Sequence, residues 1–165
     1  MYQHVELDRS DKAGFYAGLL QVLDSVLRGE ADPISNLANT AALLYDQLPR
    51  LNWAGFYLLK KDELIVGPFQ GKPACSRIAL GRGVCGTAAR ERRTIVVPDV
   101  HAFPGHIACD PASRAELVVP MIDTRARLIG VLDLDSPDPG RFTHEDAQGL
   151  EALVRRLLSH CAFGD

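Results

Sequence analysis

The sequence contains no apolar run approaching the ~18 residues that a membrane-spanning helix needs. Its first stretch, Met1 to Asp11, is polar and charged rather than the apolar segment of a signal peptide. Both absences point to a cytoplasmic protein. A basic surplus is also lacking. The 18 Lys and Arg stand against 21 Asp and Glu, a net charge of −3, so the electrostatic footprint of nucleic-acid or anionic-membrane binding is missing. There is no internal repeat, low-complexity stretch or interdomain linker, and no C-x-x-C pair. Four cysteines in 165 residues are too few for a disulfide scaffold, and in a reducing compartment they are expected to be chemical or buried. What is present is ordinary globular material. Hydrophobic residues make up 47% and charged residues 24%, which excludes a disordered chain. The length fits one domain with a proper core.

The N-terminal third has helical periodicity. Tyr16, Leu19, Leu20, Leu23, Val26 and Leu27 recur at 3–4 spacing until Gly29. Asp32 is placed to cap a second helix with Pro33 at its first position. Its expected buried stripe is Ile34, Leu37, Ala38, Ala41, Leu44, Tyr45 and Leu48. The pattern then turns to strands. Trp53–Leu59 and Leu64–Phe69 read as a hairpin, Arg77–Leu80 as a short strand, and Gly81–Gly86 as a turn into a short helix around Thr87–Glu91. After a strand at Thr94–Val97, Pro98–Ser113 is a long irregular loop of the kind that often carries function. Glu116–Ile122 and Leu128–Asp135 form a second hairpin. Its continuous hydrophobic runs predict central strands covered on both faces. Thr143, with Asp146 three residues on, predicts a capped final helix whose stripe ends at Cys161. Hairpins imply antiparallel pairing, so the fold class is α+β. The expected domain spans 1–165: N-terminal helices at about 11–48, sheet and site loops at about 50–136, and a C-terminal helix at about 143–161.

Gly81-Arg82-Gly83-Val84-Cys85-Gly86 has the spacing of a dinucleotide fingerprint, but the following helix is short and Asp99 comes too early for the ribose acid. It reads better as a tight turn whose backbone N–H groups suit a carboxylate or another anion. Cys161 lies on an apolar stripe and reads as packing. Cys75, Cys85 and Cys109 lie in loops or at a helix start, places where a thiolate can be stabilised. Several such thiols fit redox exchange better than a cysteine protease using His101 or His106 as base. A zinc site from His101, His106 and Cys109 with Cys75 or Cys85 is disfavoured by the absence of short paired spacings. Asp133 and Asp135 alternate on one face of a strand end, and the hairpin brings Glu116 beside them. Gathered carboxylates raise one another's proton affinity or bind a cation such as a substrate ammonium. Trp53 and Tyr57 read either as core or as one wall of an apolar pocket.

Five segments in order, Asn52–Leu59, Gly67–Cys75, Gly81–Ala88, Gly105–Asp110 and Gly130–Ser136, closely resemble the free methionine-(R)-sulfoxide reductases, a family built on a single GAF domain. Ala115 stands where the family usually has a small hydroxyl residue, and the turn at Asp123–Arg127 is about one residue longer. The resemblance implies a central antiparallel sheet with helices on both faces. It implies reduction of free methionine (R)-sulfoxide with thioredoxin as external reductant, no bound cofactor and no metal. By motif, Cys109 resembles the catalytic cysteine, Cys75 the resolving one that forms a disulfide with it, and Cys85 a third cysteine in the pocket that serves recycling. Trp53 and Tyr57 resemble the wall around the substrate methyl, and Glu116, Asp133 and Asp135 the acidic cluster that binds substrate and supplies a proton. A homodimer is the candidate assembly. The rival is a GAF sensor module that binds a small ligand without chemistry. Such modules usually carry an output domain, and this sequence ends soon after its last helix.

Overall fold

Local chemistry starts the helices. In the computed structural model, which describes residues 5–107 and 109–164, the Asp11 carboxylate accepts from the backbone N–H groups of Ala13 and Gly14 and opens α1 (Lys12–Val26). Asp32 accepts from Ser35 N, and Pro33 occupies the first turn of α2 (Pro33–Gln47). The final helix, α4 (His144–His160), begins with Asp146 Oδ2 accepting from Thr143 N at 2.8 Å. The same carboxyl takes Lys12 Nζ at 2.7 Å and Tyr16 Oη at 2.9 Å, which ties α1 to α4.

Six antiparallel strands lie between these helices: β1 (Trp53–Lys60), β2 (Glu63–Gly71), β3 (Arg77–Ala79), β4 (Ile95–Val97), β5 (Ala115–Ile122) and β6 (Leu128–Ser136), in the order β3-β2-β1-β6-β5-β4. The two hairpins join through β1 and β6, a pairing between distant segments. One face of the sheet presents Ala54, Phe56, Leu117, Val119, Leu132 and Leu134 to α1, α2 and α4. The other presents Trp53, Tyr57, Val118 and Val131 to α3 (Gly83–Glu91), with Val84, Cys85 and Ala88. Helices therefore cover both faces, and the central strands carry apolar residues at successive positions for that reason. Among the described residues no helix is long and apolar enough to cross a membrane.

The structure departs from the sequence reading in three places. The helix expected around Thr87 begins at Gly83, because Gly81 (φ 81°) and Gly83 (φ 60°) turn the chain sharply enough to start it four residues earlier. Ile34, Ala38 and Tyr45 are exposed rather than buried; the buried face of α2 centres on Leu37, Ala41 and Leu44. Cys161 packs against the core as expected, but from just past α4 as its C-cap, where its Sγ accepts from Asn36 Nδ2 at 3.8 Å. The expected domain bounds of 1–165 include residues 1–4 and 165, which lie outside the described residues.

Candidate active site

The sheet register builds the site floor. Trp53 pairs with Asp135, and Asp135 with Glu116, so the three side chains stand in one row across β1, β6 and β5. Asp133 stands two residues along on the same face, opposite Gly55 on one side and Val118 on the other. Gly55 is required there, since a Cβ would lie 2.8 Å from the Trp53 ring and 2.3 Å from Phe69 Cβ. Its absence lets Trp53 lie flat between Phe69 and Tyr57, with ring centroids 5.2 and 5.7 Å away.

Two loops roof the floor. Cys75 lies between β2 and β3, and Cys109 in the loop that leads into β5. Both are half-buried and are joined in a disulfide, with Cα atoms 5.7 Å apart. A polar cluster fastens the loops. Asn52 Nδ2 donates to Ser113 Oγ at 2.9 Å and to Asp110 Oδ2 at 3.2 Å. Lys72 Nζ lies 3.4 Å from Asp110, and Trp53 Nε1 donates to Lys72 O at 3.2 Å. Asn52 and Ser113 were not singled out from the sequence. They are single polar residues beside a strand start and in an irregular loop, with no periodicity or charge pattern to mark them.

Between floor and roof is a pocket of about 40 Å³, lined by Trp53, Tyr57, Cys85, Cys109, Glu116, Asp133 and Asp135 among others. Of the expected site residues only Cys75 stands off its wall, held by its bond to Cys109. Arg82 of the glycine-rich turn and His106, weighed above only as a base or zinc ligand, also line the pocket.

The pocket favours protons over charge. Burial raises the proton affinity of Glu116, with the neighbouring Asp133 and Asp135 charges adding to it. Burial pushes Asp133 up to about 7. Asp135 is raised well above its ordinary value by burial and then by Asp133. Burial lowers His106, whose Nδ1 is 3.7 Å from Glu116 Oε2. With the imidazole neutral and the carboxyl protonated, that contact is not an ion pair.

Cys85 differs from the sequence reading. It lies in the first turn of α3 but is buried, its Sγ donating to Glu116 Oε1 at 3.8 Å. Burial first, then the Asp133 and Glu116 charges, raise the thiol well above its ordinary value. The helix N-terminus does not make it a thiolate, because three carboxyl groups face it from the sheet. The zinc set weighed from the sequence is not assembled either. Cys75 and Cys109 are bonded to each other, and His101 is exposed, its backbone N–H turned to Asp99. The short α3 follows an antiparallel strand, not the parallel unit of a dinucleotide site.

The GAF domain family model matches residues 23–159. The free methionine-R-sulfoxide reductase of Escherichia coli (strain K12) is 53% identical over 94% of this chain and 93% of its own length. The chain belongs to the GAF-domain family of free methionine-R-sulfoxide reductases. The reductase of that name from Saccharomyces cerevisiae is 42% identical over 88% of this chain and 84% of its own. The X-ray structure of the Neisseria meningitidis free methionine-R-sulfoxide reductase in complex with its substrate superimposes with a TM-score of 0.90. Its identity is 45%, and the match covers 96% of this chain and 95% of that one. As in the sequence reading, this GAF domain has one antiparallel sheet with helices on both faces. The family membership extends across nearly all of the chain, including every strand that carries a pocket residue.

Proposed function

We propose that the chain reduces free L-methionine (R)-sulfoxide to L-methionine, with its own thiols as electron donors. The observation that carries this reading is the Cys75–Cys109 disulfide roofing a pocket floored by three buried acids. In the reduced enzyme the Cys109 thiolate attacks the sulfoxide sulfur. The oxygen leaves that sulfur for Cys109 as the S–O bond is cleaved, and it requires a proton. Glu116, Asp133 and Asp135 are the groups that hold protons near neutral pH beside that point. Methionine departs and Cys109 is left as a sulfenic acid. Cys75 condenses with it, giving the disulfide and water. Two thiol electron pairs thus become one S–S bond while the substrate sulfur gains two electrons. Thioredoxin then reduces the disulfide by thiol exchange.

Trp53 and Tyr57 enclose the substrate methyl group, and an acid of the cluster that is ionised holds the ammonium. The catalytic set is therefore Cys109, Cys75, Glu116 and Asp135, and the substrate-binding set Trp53, Tyr57, Asp133, Asp135 and Glu116. Cys85 stays a thiol beside the acids and serves recycling rather than attack. The electrons come from cysteine, so the cycle needs no bound cofactor. Its reductant and its transient disulfide suit the cytoplasm.

The test is Cys109→Ser assayed with free methionine (R)-sulfoxide, thioredoxin and NADPH. Turnover should vanish, and retained turnover overturns the assignment. Cys75→Ser should still release about one methionine per enzyme in a single turnover and then stop. Exposure of the reduced wild type to methionine sulfoxide should create the Cys75–Cys109 disulfide. A ligand-binding sensor would not form it.

A further inference from the structure

Three residues of the pocket floor also form a metal-ligand set, beyond the roles proposed for them in the reduction. Cys85 Sγ, a Glu116 carboxylate oxygen and an Asp133 carboxylate oxygen all lie within 4.8 Å of one another, and all three residues are buried. Cys85 Sγ is 3.8 Å from Glu116 Oε1, and His106 Nδ1 is 3.7 Å from Glu116 Oε2. Around tetrahedral zinc, bond lengths of about 2.0–2.3 Å put neighbouring ligand atoms roughly 3.3–3.7 Å apart. The Cys85–Glu116 pair is thus within a few tenths of an ångström of such an arrangement.

A second observation points to a ligand. Asp133 Oδ1 is buried in a residue only 5% exposed and has no hydrogen-bond partner, and His106 Nδ1 is likewise unpartnered. Both residues face the pocket. Buried polar atoms are normally satisfied, and those that are not mark a missing water, ion or ligand.

We infer that this cluster is a binding site for a thiophilic divalent cation, zinc foremost, held by Cys85, Glu116 and Asp133. One sulfur and two carboxylate oxygens, with a position open for water, suit zinc or cobalt, and the sulfur sets the site apart from magnesium or calcium sites. On binding, the thiol and the protonated carboxyls release their protons to the buffer, and the cation replaces them as the positive charge in the site. The pocket of about 40 Å³ holds one ion even while the disulfide is closed. The cation takes no part in the reduction. It occupies the acids that the proposed reaction uses, so it acts as an inhibitor. That consequence rests on the proposed function, whereas the binding does not.

Cobalt(II) added to the oxidised protein tests the site without any turnover. With Cys75 and Cys109 bonded, the free thiols are Cys85 and Cys161. The wild type and Cys161→Ser should both develop a near-ultraviolet thiolate-to-cobalt band and the visible bands of tetrahedral cobalt. Zinc should bleach both sets. Cys85→Ser should lose the ultraviolet band, and Glu116→Gln and Asp133→Asn should each weaken cobalt binding about tenfold or more. Far-ultraviolet circular dichroism shows that each variant is folded. Failure of the oxidised wild type to give the bands, or persistence of the ultraviolet band in Cys85→Ser, overturns the site. Neither result touches the methionine assay, so the two readings fail separately.

Discussion

Asp133→Asn isolates the energetic cost of the acid cluster. Asp133 is raised from 3.8 to about 7 by burial, and its Oδ1 has no partner to offset ionisation. Between those two pH values the native state keeps a proton that the unfolded chain has released. Stability therefore falls as pH rises through this window, is fully present below 3.8, and levels off above about 7. One pH unit of difference corresponds to about 1.4 kcal/mol, so roughly three units integrate to on the order of 4 kcal/mol. Asp133 does not titrate alone, since its charge also raises Glu116 and Asp135. The protons are shared, which spreads the effect across the cluster and reduces what one substitution recovers. We therefore expect Asp133→Asn to gain about 2–4 kcal/mol on the wild type between pH 4 and pH 8. The measurement is urea unfolding of both oxidised proteins across that range at fixed ionic strength. Groups remote from the cluster titrate equally in both and cancel in the difference. Parallel stability curves would refute the reasoning. They would mean that Asp133 is ionised in the native state, and the reaction would then lose one of its proton sources.

Gly149→Ala should lower stability by about 1–3 kcal/mol, because its Cβ would lie 2.2 Å from Tyr16 Cγ and push α1 from α4; an unchanged urea midpoint would contradict the close packing. Leu132→Ala, at a fully buried position in β6, should cost about 2–5 kcal/mol, read as a lower midpoint at constant m-value. The pocket of about 40 Å³ in the disulfide-bonded state is far below the roughly 300 Å³ at the small end of ligand sites. Free methionine should accordingly give calorimetric binding to the reduced protein and none to the oxidised one, and equal binding to both would show that the roof does not close the site.

Elements stated by local chemistry were legible in the sequence. Asp32-Pro33 and Thr143 with Asp146 mark helix starts because their side chains satisfy orphan N–H groups within one turn. The two hairpins were legible because their turns are short and their flanks apolar. The junction of β1 with β6 was not, since the partners of Trp53–Leu58 lie at Gly130–Asp135 and nothing local selects them. Ile34 and Tyr45 show the limit of periodicity. Both recur at helical spacing, yet they fall at the edge of the arc that α2 buries, and only the neighbouring layers decide how wide that arc is.

The site shows the same division, with electrostatics as the part that could not be read locally. Glu116, Asp133 and Asp135 were gathered correctly because hairpin register is itself a local property. Cys85 was misread for the opposite reason. Its sequence neighbours place it at a helix N-terminus, whose partial positive charge favours a thiolate by well under a few kcal/mol. The sheet then sets Glu116 and Asp133, from strands some thirty and fifty residues away, against the same sulfur. Burial and two acids outweigh one helix end, so the thiol keeps its proton. Cys75 and Cys109 lie on the roof, half-buried and bonded to each other. The sheet therefore sorts three similar cysteines by depth: the bonded pair is on the loops, and the third is among the protons.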